Sequence, residues 1–297
     1  MSEELTLYEV NDQKIYVQEQ GTRHEQVALL IHGWSSSWYA MSPLIPLLRK
    51  RYRCLAVDLP GYGQSPRLPQ RITMTDYADT LAALVRQLTP NKQVILVGHS
   101  MGGMISLTMA LRHPDLVERM ILLAPTITGN LSLFINLFVS PITMIERFVV
   151  ADWLVSLFES QLAKITDRIM RPASLAAKTG MSEADYQRLR GDARQGGQGK
   201  VRAECFMAMR EGDLRGKLAA IQVLILAIWG LEDNTVPLRD ASVLAEELPK
   251  ADLRFIPNVN HWPQFESPEL TQRYVEGFMG KPMNLLKMMS STGMWSS

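Results

Sequence analysis

The segment Gly98-His99-Ser100-Met101-Gly102 fits the pattern G-x-S-x-G, in which a serine hydroxyl stands on a sharp strand-to-helix turn. An apolar run at 94–97 precedes it and a helical pattern at 101–112 follows it. Small residues at 98 and 102 let neighbouring backbone pass closely. The turn also sets Ser100 at a helix N-terminus, where free N–H groups stabilise negative charge. A serine hydroxyl is a weak nucleophile at neutral pH, so it needs a base, and the base needs an orienting carboxylate. With a turn of this kind the chain order is serine, acid, histidine.

Of the histidines at 24, 32, 99, 113 and 261, only His261 follows Ser100 at the end of a late strand. His113, beside Pro114, reads as a helix-end residue. His99 adjoins Ser100 and points elsewhere. Trp229-Gly230-Leu231-Glu232-Asp233 follows another buried run, and loops at the carboxyl ends of strands are where open α/β sheets build sites. Asp233 is the candidate acid and Glu232 the second choice. Acyl transfer further requires donors for the developing oxyanion. The N–H of Met101 supplies one and the N–H of Trp34, in the loop His32-Gly33-Trp34, the other. The Trp34 indole has two readings, a wall of the acyl pocket or a ring packed under a cap.

Residues so far apart in the chain meet only if strands carry them to one rim of a sheet. The pattern supplies such strands. Runs at 5–10 and 14–20 read as a hairpin around Asn11-Asp12. Apolar runs at 27–31, 52–57, 94–97, 120–124, 223–229 and 252–256 read as further strands. Helical patterns fall after Pro43 and at 75–88, 101–112, 238–248 and 268–279. This alternation predicts an α/β fold, a mostly parallel sheet flanked by helices. It breaks between residues 126 and 215, where helical material predominates. A helical cap over 126–215 is therefore expected, inserted in a core of residues 1–125 and 216–280, with a tail at 281–297. The run from Gly191 to Gly199 reads as a flexible loop; with no buried strand before it, it is no phosphate cradle.

The chain resembles the serine hydrolases of the α/β-hydrolase fold superfamily. The resemblance rests on His32-Gly33-Trp34, Asp58-Leu59-Pro60-Gly61-Tyr62-Gly63-Gln64-Ser65, Gly98-His99-Ser100-Met101-Gly102-Gly103, Trp229-Gly230-Leu231-Glu232-Asp233 and Asn260-His261-Trp262, in that order. It implies a cap between the sixth and seventh strands and no cofactor. Related haloalkane dehalogenases and epoxide hydrolases carry Asp where Ser100 stands, and proline iminopeptidases carry a different loop from His32-Gly33-Trp34-Ser35-Ser36, so these activities are disfavoured.

The 297 residues are 46% hydrophobic and 21% charged, enough for a substantial core. With 31 Lys and Arg against 30 Asp and Glu, the net charge of +1 gives no basis for binding nucleic acid. Two cysteines, Cys54 and Cys205, are too few for a disulfide scaffold or a zinc ribbon. Glu3 and Glu4 stand where a secretory signal has cations, so the expected location is cytoplasmic. The uncharged stretch 120–145 is long enough to raise the membrane question, but Pro125, Gly129, Asn130, Asn136 and Pro141 interrupt it. The cap is rich in large apolar residues such as Leu131, Leu133, Leu137, Phe148 and Trp153. These side chains have two readings: ordinary packing of cap helices onto the core, or a lid whose inner face takes an acyl chain or whose outer face touches a lipid surface. The expected activity is hydrolysis of small hydrophobic carboxylic esters. Two alternatives stand beside it: C–C bond hydrolysis of a dienoic ketone with the same triad, and a slow-turnover ligand receptor.

Overall fold

The computed structural model describes residues 5–133, 135–139, 180–193, 195 and 198–281. Eight strands form one sheet in the order β1-β2-β4-β3-β5-β6-β7-β8. They are β1 (Thr6–Val10), β2 (Gln13–Gln20), β3 (Val27–Ile31), β4 (Arg53–Val57), β5 (Val94–His99), β6 (Val117–Leu123), β7 (Leu224–Gly230) and β8 (Asp252–Ile256). β1 pairs antiparallel with β2, and β2 with β4. Every pairing from β4 through β3 to β8 is parallel. The carboxyl ends of β5, β7 and β8 therefore share one edge of the sheet.

The central strands are apolar throughout because both of their faces are covered. In β3, Val27, Leu29 and Ile31 join one core while Ala28 and Leu30 join the other. The same alternation runs through β7, with Ile225, Ala227 and Trp229 on the first face and Leu224, Leu226 and Ile228 on the second. The first face is covered by α2 (Met74–Leu88), α3 (Met101–Arg112) and α6 (Leu238–Glu247). The second is covered by α1 (Ile45–Leu48) and α8 (Pro268–Met279). Thr73 caps α2 through a reciprocal exchange with Asp76, which starts the helix one residue before the expected position. The chain after β6 returns to the sheet at β7, and between them lie α4 (Glu183–Ala193) and α5 (Gly199–Glu211). Residues 140–179 of the expected cap, among them Phe148 and Trp153, and the tail from 282 lie outside the described residues.

The helical pattern after Pro43 is present as α1, Ile45–Leu48, and a 3-10 turn, Trp38–Leu44, leads into it. Pro43 lies inside the tighter turn, where it lacks an N–H to extend an α-helical ladder. The run from Gly191 is not all loop, because Gly191, Asp192 and Ala193 complete α4. No helix among the described residues is long and apolar enough to cross a membrane.

The glycines of the serine turn are required by contact. A methyl group on Gly102 would lie 2.2 Å from the Ile31 carbonyl oxygen, and one on Gly98 2.4 Å from the Gly102 carbonyl oxygen. Backbone cannot swing aside as a side-chain tip can. Gly102→Ala is therefore expected to cost about 3 kcal/mol or more, the upper end of overpacking. Gly277→Ala, on an open face of α8 with nothing within 4 Å, is expected to gain about 0.5–1 kcal/mol. Urea melts of the two variants check the contrast, and equal midpoints would overturn it.

Candidate active site

Ser100 lies between β5 and α3 with φ 54° and ψ −116°. A non-glycine residue in the left-handed region is strained, and the surroundings hold it there. Its N–H donates to the Leu123 carbonyl at 2.9 Å. Its own carbonyl accepts from Gly103 N–H at 2.9 Å and Thr126 N–H at 3.1 Å. The turn is thus stitched both to its own helix and to the end of β6. Met101 opens α3 and is fully buried.

The loop after β3 closes on the serine. A methyl group on Gly33 would lie 3.1 Å from Ser100 Cβ, so Trp34 is the residue next to the contact. The loop is pinned by His32, whose Nδ1 donates to the Gly33 carbonyl at 2.7 Å while Nε2 accepts from Leu59 N–H at 3.1 Å. Burial lowers the His32 pKa to about 4, which keeps the ring neutral and preserves that donor–acceptor assignment. The Trp34 indole N–H donates to the Arg202 carbonyl on α5 at 2.8 Å, and its ring lies 6.0 Å from that of Phe206. Of the two readings of this ring, the structure shows packing beneath α5. Asp58 supports the same region. Its carboxylate accepts from Trp38 N–H and Gln64 N–H, each at 2.9 Å. Burial nevertheless pushes the Asp58 carboxyl up to about 6.

Asp233 and His261 meet directly. Asp233 Oδ2 lies 2.9 Å from His261 Nδ1. The other oxygen accepts from Thr235 N–H at 2.8 Å and Val236 N–H at 2.9 Å. A carboxylate only accepts, so Nδ1 carries the proton and Nε2 is left as the basic nitrogen. Both side chains are buried. Glu232, the second choice for the acid, is exposed, and its N–H donates to the Val259 carbonyl at 3.0 Å.

His99 joins the Ser100 turn to the loop that carries His261. Its Nε2 lies 2.9 Å from the His261 carbonyl oxygen and donates to it. Its ring is 4.8 Å from that of His261 and 4.4 Å from that of Trp262. Burial, reinforced by a positive His261, lowers its pKa well below the usual histidine range, so the ring beside His261 stays neutral. His113 lies elsewhere, with Nε2 2.7 Å from an Asp79 oxygen at the end of α3. The cysteines offer no rival nucleophile. Cys54 and Cys205 are buried, and burial pushes their thiols up to about 12 and about 11.

The sheet thus gathers Ser100, His261 and Asp233 at the carboxyl ends of β5, β8 and β7. Sequence reasoning assigned no role to His32 beyond its loop, nor to the His99 contact. It passed over Glu266, whose carboxylate accepts from Asn260 N–H at 3.0 Å and Trp262 N–H at 2.9 Å. The available signal was an acid a few residues beyond His261 in a turn opened by Pro263.

Comparison with known proteins agrees with this architecture. The chain is 29% identical over 276 residues to an uncharacterized hydrolase of Bacillus subtilis, covering 92% of this chain and 96% of the relative. It is 25% identical over 265 residues to a pimeloyl-[acyl-carrier protein] methyl ester esterase of Vibrio vulnificus, covering 85% and 94%. It is also 25% identical over 271 residues to a 2-hydroxy-6-oxononadienedioate/2-hydroxy-6-oxononatrienedioate hydrolase of Escherichia coli, covering 87% and 88%. Among solved structures, an alpha/beta hydrolase from a Medee basin deep-sea metagenome library superposes with a TM-score of 0.77 at 20% identity, over 93% of this chain and 98% of that one. The model of the Alpha/beta hydrolase family matches residues 28–271, from β3 into α8. With a mostly parallel eight-stranded sheet, a strained serine turn and that match over most of its length, the chain belongs to the alpha/beta hydrolase family.

Proposed function

We propose that the protein is a serine carboxylic ester hydrolase acting on small hydrophobic esters. The observation that carries this reading is the Asp233 carboxylate on His261 Nδ1, at the sheet edge where Ser100 is held at positive φ. His261 Nε2 takes the proton of Ser100 as its hydroxyl attacks the ester carbonyl. The N–H groups of Met101 and Trp34 receive the oxyanion. Asp233 stabilises the imidazolium, which then protonates the leaving alcohol. Water activated by the same imidazole releases the acid and frees Ser100. No cofactor takes part in this scheme.

The ester reading is supported by the methyl ester esterase relative and by apolar surface beside the site. Leu133 is 73% exposed and Leu137 58% exposed. Their segment is tied to the acid loop by Ser132 N–H donating to the Thr235 carbonyl at 2.9 Å. An acyl chain or a lipid surface fits such residues better than a charged substrate does. The Escherichia coli relative supports a second reading, C–C bond hydrolysis, which uses the same nucleophile and base.

A nitrophenyl-ester series from acetate to octanoate, with wild type and Ser100→Ala, tests the proposal. The expected result is faster release from the longer chains and background release from the variant. A preference for acetate overturns the apolar-substrate part. Turnover of dienoic ring-cleavage ketones without ester hydrolysis selects the second reading. Tight ligand binding with negligible turnover of either class selects a receptor.

A further inference from the structure

The loop that carries His261 is bracketed by a single side chain. Glu266, on α7 (Pro263–Glu266), is 5% exposed. One oxygen accepts the N–H of Asn260 at 3.0 Å and the other that of Trp262 at 2.9 Å. These are the N–H groups of the two residues on either side of His261. The base itself is held at its carbonyl by His99 Nε2–H at 2.9 Å. The Trp262 carbonyl is held by the N–H groups of Phe265 and Glu266, at 2.9 and 2.8 Å. On the far side, Asn234 N–H donates to Asn260 Oδ1 at 3.1 Å, tying the same loop to the acid loop.

We propose that Glu266 is a positioning residue for the base, its carboxylate fixing the N–H groups of the residues before and after His261 so that the imidazole is held between Asp233 and Ser100. The inference rests on the triad reading above.

The chemistry calls for a carboxylate in particular. Two N–H donors converge on one side chain, so both of its oxygens must accept. A glutamine has one acceptor and would turn its NH2 toward the second donor, leaving a buried N–H unpaired. An aspartate keeps both acceptors but is one methylene shorter. The bracket also explains a buried acid outside the triad. Burial raises the Glu266 pKa, and the two backbone N–H groups and a positive His261 oppose that rise. A negative group behind the imidazole further favours the imidazolium that forms as the serine attacks. Near-attack geometry is sensitive to such support, and a displacement of about 1 Å costs about 10²-fold in rate.

The test compares Glu266→Gln and Glu266→Asp with wild type on one nitrophenyl ester. Active sites are counted by a fluorophosphonate, and thermal melting is followed in parallel. For Glu266→Gln the expected result is a fall in kcat per titrated site of about 10- to 100-fold with KM within about twofold. The rate of phosphonylation of Ser100 is expected to fall in parallel, since that step uses the same base. Glu266→Asp is expected to recover part of the loss. Both variants keeping kcat per titrated site within twofold of wild type, whatever their melting temperatures, overturns the proposal and leaves Glu266 a purely structural residue. If Glu266→Gln does not fold, Glu266→Asp decides alone: kcat reduced at least threefold at unchanged KM supports the proposal, and unchanged kcat overturns it. Ser100→Ala run alongside separates the two levels, because full activity in that variant overturns the triad reading itself.

Discussion

Replacing Ser100 with alanine is expected to lower kcat for ester hydrolysis by about 10⁴- to 10⁶-fold and to leave the fold intact. The chemical part follows from the removal of the only oxygen that could form the acyl intermediate in the proposed scheme. No buried cysteine can take its place, since Cys54 and Cys205 hold their protons firmly. The structural part follows from the turn, whose hydrogen bonds use the Ser100 backbone: its N–H to Leu123 and its carbonyl to Gly103 and Thr126. Those bonds survive loss of the hydroxyl. A sharper outcome separates strain from chemistry. Ser100 has φ 54°, which a Cβ opposes and glycine does not. Ser100→Gly is therefore expected to be about 1 kcal/mol more stable than Ser100→Ala, while equally inactive. Initial rates and urea melts on the three proteins measure both effects. Residual activity within a hundredfold of wild type in either variant would place the nucleophile elsewhere.

Asp233→Asn is expected to reduce kcat by about 10⁴-fold with little change in structure. The surroundings decide which way the amide turns. Oδ1 of Asp233 accepts two backbone donors, Thr235 N–H and Val236 N–H. An asparagine satisfies them only with its oxygen, so its NH2 group faces His261 Nδ1. That nitrogen must then accept, the ring proton moves to Nε2, and Nε2 can no longer take the proton of Ser100. The loss is one of tautomer, so a crystal structure of the variant is expected to superpose on wild type at the acid loop. Glu232→Gln serves as the control. Glu232 is exposed and contributes its backbone N–H to Val259, so its variant is expected to stay within about twofold of wild type. The opposite pattern, an active Asp233→Asn and an inactive Glu232→Gln, would exchange the two acids.

Much of the architecture was legible because its signals are local. The strands 27–31 and 252–256 and the helices 101–112 and 268–279 fall where apolar period and flanking proline or glycine put them. β5 extends through Gly98 to His99, and β6 begins at Val117, three residues before the expected start, because pairing with neighbours continues past the purely apolar run. The 3-10 turn at Trp38–Leu44 carries no such signal before Pro43, whereas Leu44, Ile45, Leu47 and Leu48 keep the helical spacing that α1 follows. The run from Gly191 reads as loop, yet a glycine near the end of α4 is tolerated, and Asp192 there accepts from the Ser37 hydroxyl.

The site divides in the same way. Chain order and strand ends pointed to Ser100, Asp233 and His261, and to the loop at Trp34, because a parallel sheet must bring its carboxyl ends to one edge. The sequence by itself determined the order of elements, the edge at which they converge and the residue types delivered there. Only the tertiary structure decided that Asp233 rather than Glu232 meets the imidazole, that the Trp34 indole bonds to Arg202, and that Glu266 and His99 bond to the backbone around His261. The reason is range. Periodicity is written into neighbouring residues, whereas a hydrogen-bond partner such as Arg202, 168 positions from Trp34, is chosen by how separate segments pack.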